Sequence, residues 1–249
     1  HDRGMMAELD RILCLTHLLR LGYDDDAIRE HAQARLEKIH RVAASGRLDI
    51  LLPEEPADLP KAYRGRYRVV DPWFTPGGSC ALPYVHDLHM LAALPAAWRT
   101  ARVVKMIDTV VGYVLNGEYQ ALPKGFGYAR DDSLSPPRYY VLGWNADLPG
   151  YGGPLGRLTQ QYFVLSLEMM AAFPRARKHR WFLESVARLD EYRTGRGTWL
   201  LPRSWLQERP VAYWVAGGHM GLEQNRRSRA AIERESTVRI LRLRERSEQ

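Results

Sequence analysis

Along most of this chain apolar residues recur at spacings of three and four, the period of an amphipathic helix. Residues 6–21 carry Leu9, Ile12, Leu13, Leu15, Leu18 and Leu19 near that period, and Gly22 ends the run. Asp24, Asp25 and Asp26 then open a second helix to about residue 44, because carboxylates satisfy the free N–H groups at a helix start. Residues 53–83, rich in Pro, Gly and aromatics, read as irregular. A short helix follows between Pro83 and Pro95. Residues 99–115 form a fourth, whose Val103, Val104, Ile107, Val110, Val111, Val114 and Leu115 make one apolar stripe despite their preference for strands.

The second half repeats the pattern less evenly. Residues 116–157, with seven glycines from Gly117 to Gly153, read as a second irregular stretch. Residues 158–173 are apolar on almost every side and predict an interior helix, with 178–192 as its charged partner. A last helix with one apolar side covers about 228–246. Three of the helical stretches end in the same punctuation, a polar or Gly-containing turn and then Leu-Pro at Pro53, Pro123 and Pro202, 70 and 79 residues apart. Repetition on that scale predicts stacked helical hairpins that bury their faces against neighbouring units. The expected architecture is therefore all-α, stacked helical hairpins in one domain over residues 9–249. Residues 1–8 read as an unstructured start or a remnant ahead of a native Met5 or Met6.

The turn Gly197-Thr198-Trp199 resembles the Gly-x-Trp turn between outer and inner helices in prenyltransferase- and terpene-cyclase-like α/α toroids, although Arg193 stands where their repeat usually has Gln. The wider layout is also similar to small bacterial members of that group with unassigned chemistry: Leu82-Pro83-Tyr84, Phe126-Gly127-Tyr128, Gly143-Trp144 and the 220–227 segment before Glu235-Ser236-Thr237. The resemblance implies that the hairpins form a partial or complete α/α toroid with a central cavity, and a lyase or transferase acting on an isoprenoid-like molecule. It does not bring either well-known chemistry with it. Asp24-Asp25-Asp26 lacks the Asp-x-Asp-Asp spacing of cyclase acids, and Cys80 lacks an Asp two residues earlier for a zinc shell. A fold does not by itself imply a reaction.

Composition narrows the candidate chemistry. The chain has 7 Trp and 13 Tyr against 5 Phe, and aromatic faces with a polar handle suit an apolar chain, a cation or a sugar ring. Trp73, Tyr84, Tyr128 and Trp144 lie in loops or at helix starts and are the expected cavity lining. Asp87 sits among apolar neighbours, where an unpaired charge is costly, so it either pairs with an Arg or serves as acid or base. Glu168, in the most apolar helix, is either an outward-facing or Arg-paired carboxylate or a carboxyl with a raised pKa. After the glycines at 217–221, Glu223, Asn225, Arg226 and Arg227 either hold an anionic or hydroxylated ligand or staple the last helix through Glu235. Asp87 and Glu223 are the expected catalytic pair, with Asn225 and Arg226 binding substrate.

No cofactor is assigned. Zinc at Cys80, His86 and His89 and magnesium at Asp24–Asp26 are the metal alternatives, with satisfied polar contacts and helix capping the plainer ones. The net charge of +7 is uneven: residues 1–60 hold 8 Lys or Arg against 12 Asp or Glu. Of the 36 basic residues 31 are Arg, a bias that GC-rich coding produces without selection for phosphate contacts, so nucleic acid is not the expected partner. No run of about 18 apolar residues is present, and Cys14 and Cys80 are too few for a disulfide framework. These features predict a cytoplasmic protein binding or transforming a small isoprenoid-like or other apolar molecule. A non-catalytic helical scaffold for a protein or peptide and a carbohydrate-active toroid are the alternatives.

Overall fold

The computed structural model describes residues 5–122, 127–132, 135–143, 145–156, 160–206 and 228–248. The chain divides into two compact units, His1–Asp147 and Leu148–Gln249.

In the first unit, helix α1 (Met5–Arg20) forms where Leu9, Ile12, Leu15 and Leu19 share a stripe, and all four are buried. Helix α2 (Asp26–Ser45) begins at Asp25, whose Oδ1 accepts the Ile28 N–H at 2.9 Å, and ends at Gly46 with φ 67°. That left-handed turn is the usual glycine stop. Helix α3 (Val85–Ala93) is buried on almost every side. Helix α4 (Ala101–Val114) starts at Thr100, whose hydroxyl accepts the Val103 N–H, and buries Met106, Ile107, Val110, Val111 and Val114. α1 packs on α3 and α2 on α4, so the helical stripes meet in one core. A single turn, α5 (Gly117–Gln120), follows.

The expectation of an all-α toroid is corrected here. Strands β1 (Gly127–Asp131) and β2 (Arg138–Leu142) pair antiparallel, from Gly127 opposite Leu142 to Asp131 opposite Arg138. The chain near Val69 extends the pairing, since the Val70 N–H donates to the Tyr128 carbonyl at 2.7 Å and the Tyr128 N–H to the Arg68 carbonyl at 2.8 Å. The protein is therefore mixed: mostly helical, with a small sheet inside a segment that composition marks as loop. Burial of Tyr128 and Tyr139 with Leu59 and Val69 holds the sheet, a tertiary cause that local pattern does not display.

In the second unit, α6 (Phe163–Met170) buries seven of its eight residues, as expected for an interior helix. One turn, α7 (Pro174–Arg177), leads into α8 (Arg180–Asp190), and α9 (Arg229–Glu248) closes the described chain. The Gly197-Thr198-Trp199 turn docks on α9. Thr237 Oγ1 accepts the Trp199 N–H at 3.0 Å, and Ser236 Oγ accepts the Leu201 N–H at 3.2 Å. Arg193 and Arg244 lie 5.4 and 4.8 Å from the Trp199 ring centroid. The Leu-Pro punctuations are not equivalent. The first enters the Leu51–Val70 bridge, and the third docks on α9 and precedes the 3-10 turn Arg203–Trp205.

Candidate functional site

A cleft of about 360 Å³ is lined by α2, α4 and the connection from α3 to α4. Its walls are apolar: Ala32 and Leu36 from α2, Leu94 and Ala97 from the connection, Val103 and Met106 from α4. Trp98, at the end of the 3-10 turn Ala96–Trp98, forms a fixed side. Its Nε1 donates to Asp24 Oδ1 at 2.8 Å, and the Arg29 guanidinium lies 5.1 Å from its ring centroid. Arg29, Gln33, Thr100 and Arg102 supply the polar rim.

The rim cations are loosely held. Arg102 meets Glu37 at 3.5 Å with 76% of its side chain exposed, and Arg29 meets Asp24 at 3.3 Å with 50% exposed. Exposed pairs of this kind contribute little, so Arg102 can exchange Glu37 for a ligand oxygen at small cost, while Arg29 is also held by Asp26 at 3.8 Å and by the Trp98 ring. The described residues lining the cleft include no carboxylate, imidazole or thiol. What they offer is an apolar slot with donors at its mouth, which is the composition of a binding site.

Comparison with known proteins adds no relative. No family model, curated protein or solved structure matches the chain. Function has to be argued from the geometry.

Asp87 lies outside the cleft, in a buried ionic centre. Arg35 Nε and Nη2 donate to its two oxygens, each at 2.7 Å, and the Tyr84 N–H donates to Oδ2 at 2.8 Å. Arg35 also reaches Glu8 Oε1 at 3.1 Å and the carbonyls of Cys80 and Leu82. Burial works against the Arg35 charge, but Asp87, by charge and hydrogen bonds, together with Glu8 more than offsets it and holds the guanidinium above its usual pKa. With no exposure and three donors in place, Asp87 has the geometry of a structural partner, the first of the two roles its apolar neighbours imply. Sequence carried a signal for Arg35, a charged residue on the apolar stripe of Ile28, Ala32, Leu36 and Ile39.

The other residues around Asp87 are also structural in environment. Burial pushes the Cys80 thiol up to about 11, leaving little nucleophilic thiolate at neutral pH. Burial, with Arg20 and His86, pushes His89 down to about 3. No group of three His, Cys, Asp or Glu among the described residues is placed to hold a metal. Asp25 caps α2 by accepting the Ile28 N–H, and Asp24 accepts from the Trp98 indole and the Arg29 guanidinium.

The aromatics expected to line one cavity are dispersed. Trp73 is 40% exposed on the 3-10 turn Pro72–Phe74, with the Arg47 guanidinium 4.7 Å from its ring centroid. Tyr84 is buried beside Arg35, and Tyr128 is buried with Tyr63 stacked on it at 4.9 Å. Packing against neighbouring rings and cations accounts for all three. Trp144, Glu223, Asn225 and Arg226 lie outside the described residues. Glu168 is paired, its two oxygens receiving Arg239 Nε and Nη2 at 2.8 and 2.7 Å. Arg239 also meets Glu235, one turn away on α9. Sequence reasoning missed Arg29, Gln33, Trp98 and Arg102, and no local pattern marks them, because the cleft exists only once α2 and α4 are packed.

Proposed function

We propose that the protein binds a small, largely apolar molecule carrying a hydrogen-bond-accepting group, with an isoprenoid-like chain as the leading candidate, in the cleft between α2 and α4. The observation that supports this reading is the cleft itself. About 360 Å³ of space with apolar walls and arginines at the mouth falls in the range of roughly 300–1,000 Å³ usual for small-molecule sites. The apolar body of the ligand enters between Leu36 and Met106, and its acceptor meets Arg102 or Arg29. Asp87 does not line this cleft and is given no contact with the ligand.

The test is a thermal-shift panel of prenyl alcohols, prenyl diphosphates, fatty acids and oligosaccharides, repeated on Ala97→Trp. Ala97 is an exposed lining residue, so the larger side chain fills the slot without disturbing the core. A ligand at about 100 times its Kd stabilises by about 2.7 kcal/mol, a rise of roughly 5–10 °C for a chain of this size. The expected result is a shift with the prenyl compounds that Ala97→Trp abolishes while leaving the free protein's Tm in place. A shift that survives Ala97→Trp places the ligand elsewhere, and oligosaccharide binding in its stead supports the carbohydrate alternative.

A further inference from the structure

We propose that the surface where α7 meets α8 docks a phosphodiester chain, with Arg175, Lys178 and Arg180 each engaging a phosphate. The whole-chain balance conceals where the charge lies. Residues 148–249 hold 18 Lys or Arg against 10 Asp or Glu, and residues 1–147 hold 18 against 19. The excess is densest in Pro174-Arg175-Ala176-Arg177-Lys178-His179-Arg180.

Arg175 and Lys178 are exposed three residues apart, a spacing that puts two side chains on one helical face about 5–6 Å apart at Cβ. Neither makes an ion pair with another described residue. Arg180 is 86% exposed and pairs with Glu184, itself 60% exposed, a pair easily exchanged for a phosphate. Beside the cations the His179 and Tyr151 rings stack at 5.7 Å with planes 20° apart. The Trp181 Nε1 donates to the Pro149 carbonyl at 3.0 Å and anchors the loop that carries Tyr151. Cations that track a backbone next to a held aromatic face are the elements of single-strand recognition. A lipid surface would call for apolar side chains to insert, and Leu183 is the one large exposed apolar residue on α8. An acidic peptide would leave the ring pair unused.

The experiment measures affinity of the full chain for a labelled single-stranded DNA by fluorescence anisotropy across a salt series. Each phosphate contact contributes about −0.7 to the slope of log K against log salt, so three contribute about −2. The triple variant Arg175→Ser/Lys178→Ser/Arg180→Ser is expected to move the slope about 2 towards zero, and Tyr151→Ala to weaken binding with the slope unchanged. Arg242→Ser/Arg246→Ser, exposed on α9, is the control and should leave the slope as it was. All these positions are at least partly exposed, and circular dichroism confirms that each variant is folded. An equal loss in the control, a slope that the triple variant leaves unchanged, equal affinity for polyglutamate, or binding to phosphatidylserine vesicles in place of DNA would each overturn the proposal.

Discussion

Removing one member of the Arg35–Asp87 pair should cost far more than its share of removing both. The Arg35 and Asp87 side chains are 4% and 0% exposed, so each charge depends on the other for its solvation. Asp87→Leu leaves a buried guanidinium with Glu8 as its remaining carboxylate and takes the acceptor from the Tyr84 N–H. Arg35→Met leaves a buried carboxylate with one backbone donor, takes the Arg35 donor from the Cys80 carbonyl and leaves the Leu82 carbonyl with the weaker Cys80 thiol. Each loss falls among broken buried ion pairs, which cost about 3–5 kcal/mol. For a chain of this length that lowers Tm by roughly 6–20 °C. Because the two losses share one cause, the double variant should recover part of the cost, with a coupling of about 2–3 kcal/mol. Urea unfolding followed by circular dichroism, on the wild type, both single variants and the double, closes the cycle. Additive single costs, or single costs below about 1 kcal/mol, would show that the pair is not a coupled unit and refute the structural role given to Asp87. Asp87→Asn is the milder companion. Where it folds, ligand affinity in the α2–α4 cleft should be unchanged, since Asp87 does not line it and the Asn oxygen can still accept from Arg35 and keep α2 in register.

His89 makes stability depend on pH. Its pKa is depressed to about 3 in the fold against an unfolded value near 6.5, so the unfolded chain takes up the proton first and stability falls as pH drops below about 6.5. At pH 5 the penalty is about 2 kcal/mol, or roughly 4–8 °C in Tm, and His89→Gln should lose less stability than wild type between pH 7.5 and 5. Equal losses in the two proteins would contradict a buried neutral His89. Gly127→Ala should destabilise by about 2–3 kcal/mol, because φ is 140° and a Cβ would stand 2.4 Å from the Arg68 carbonyl oxygen that pairs with Tyr128. Gly65→Ala, at φ 70° with nothing within 4 Å, should cost only about 1–2 kcal/mol, and thermal denaturation of the two variants side by side tests the difference.

The helices were legible because their cause is local. Leu9, Ile12, Leu15 and Leu19 specify which side of α1 is buried, and the Asp25 cap and the Gly46 stop bound α2. The sheet was not, because β1 reads Gly-Tyr-Ala-Arg-Asp, with no alternation, and owes its place to the Arg68 and Val70 backbone and to the Tyr128 cluster. Distance in sequence also separates the two kinds of site residue. The Asp87 environment could be anticipated as far as needing an arginine, although Arg35 lies 52 residues away. Arg29 and Arg102 carry no such obligation, since an exposed side chain violates nothing by standing alone. A buried charge announces its partner, and a cleft does not.

That contrast bears on how the cleft is held. Apolar stripes tolerate sliding, because one leucine fits nearly as well as another against a facing helix. Arg35 does not tolerate it. Its acceptors come from Glu8 on α1, Asp87 on α3 and the carbonyls of residues 80 and 82, and all can be met at bonding distance only in one register. α2 carries Arg35 beside Ala32, Leu36, Arg29 and Gln33, which form one wall of the cleft. The same helix is thus pinned through one residue and offers the binding wall through its neighbours. An ion pair that adds little net stability over apolar packing still has a use here, since it sets where that wall stands. Arg35→Met/Asp87→Leu, even where it regains much of the stability, should therefore bind the cleft ligand more weakly than wild type, because the repacked centre no longer dictates the position of α2.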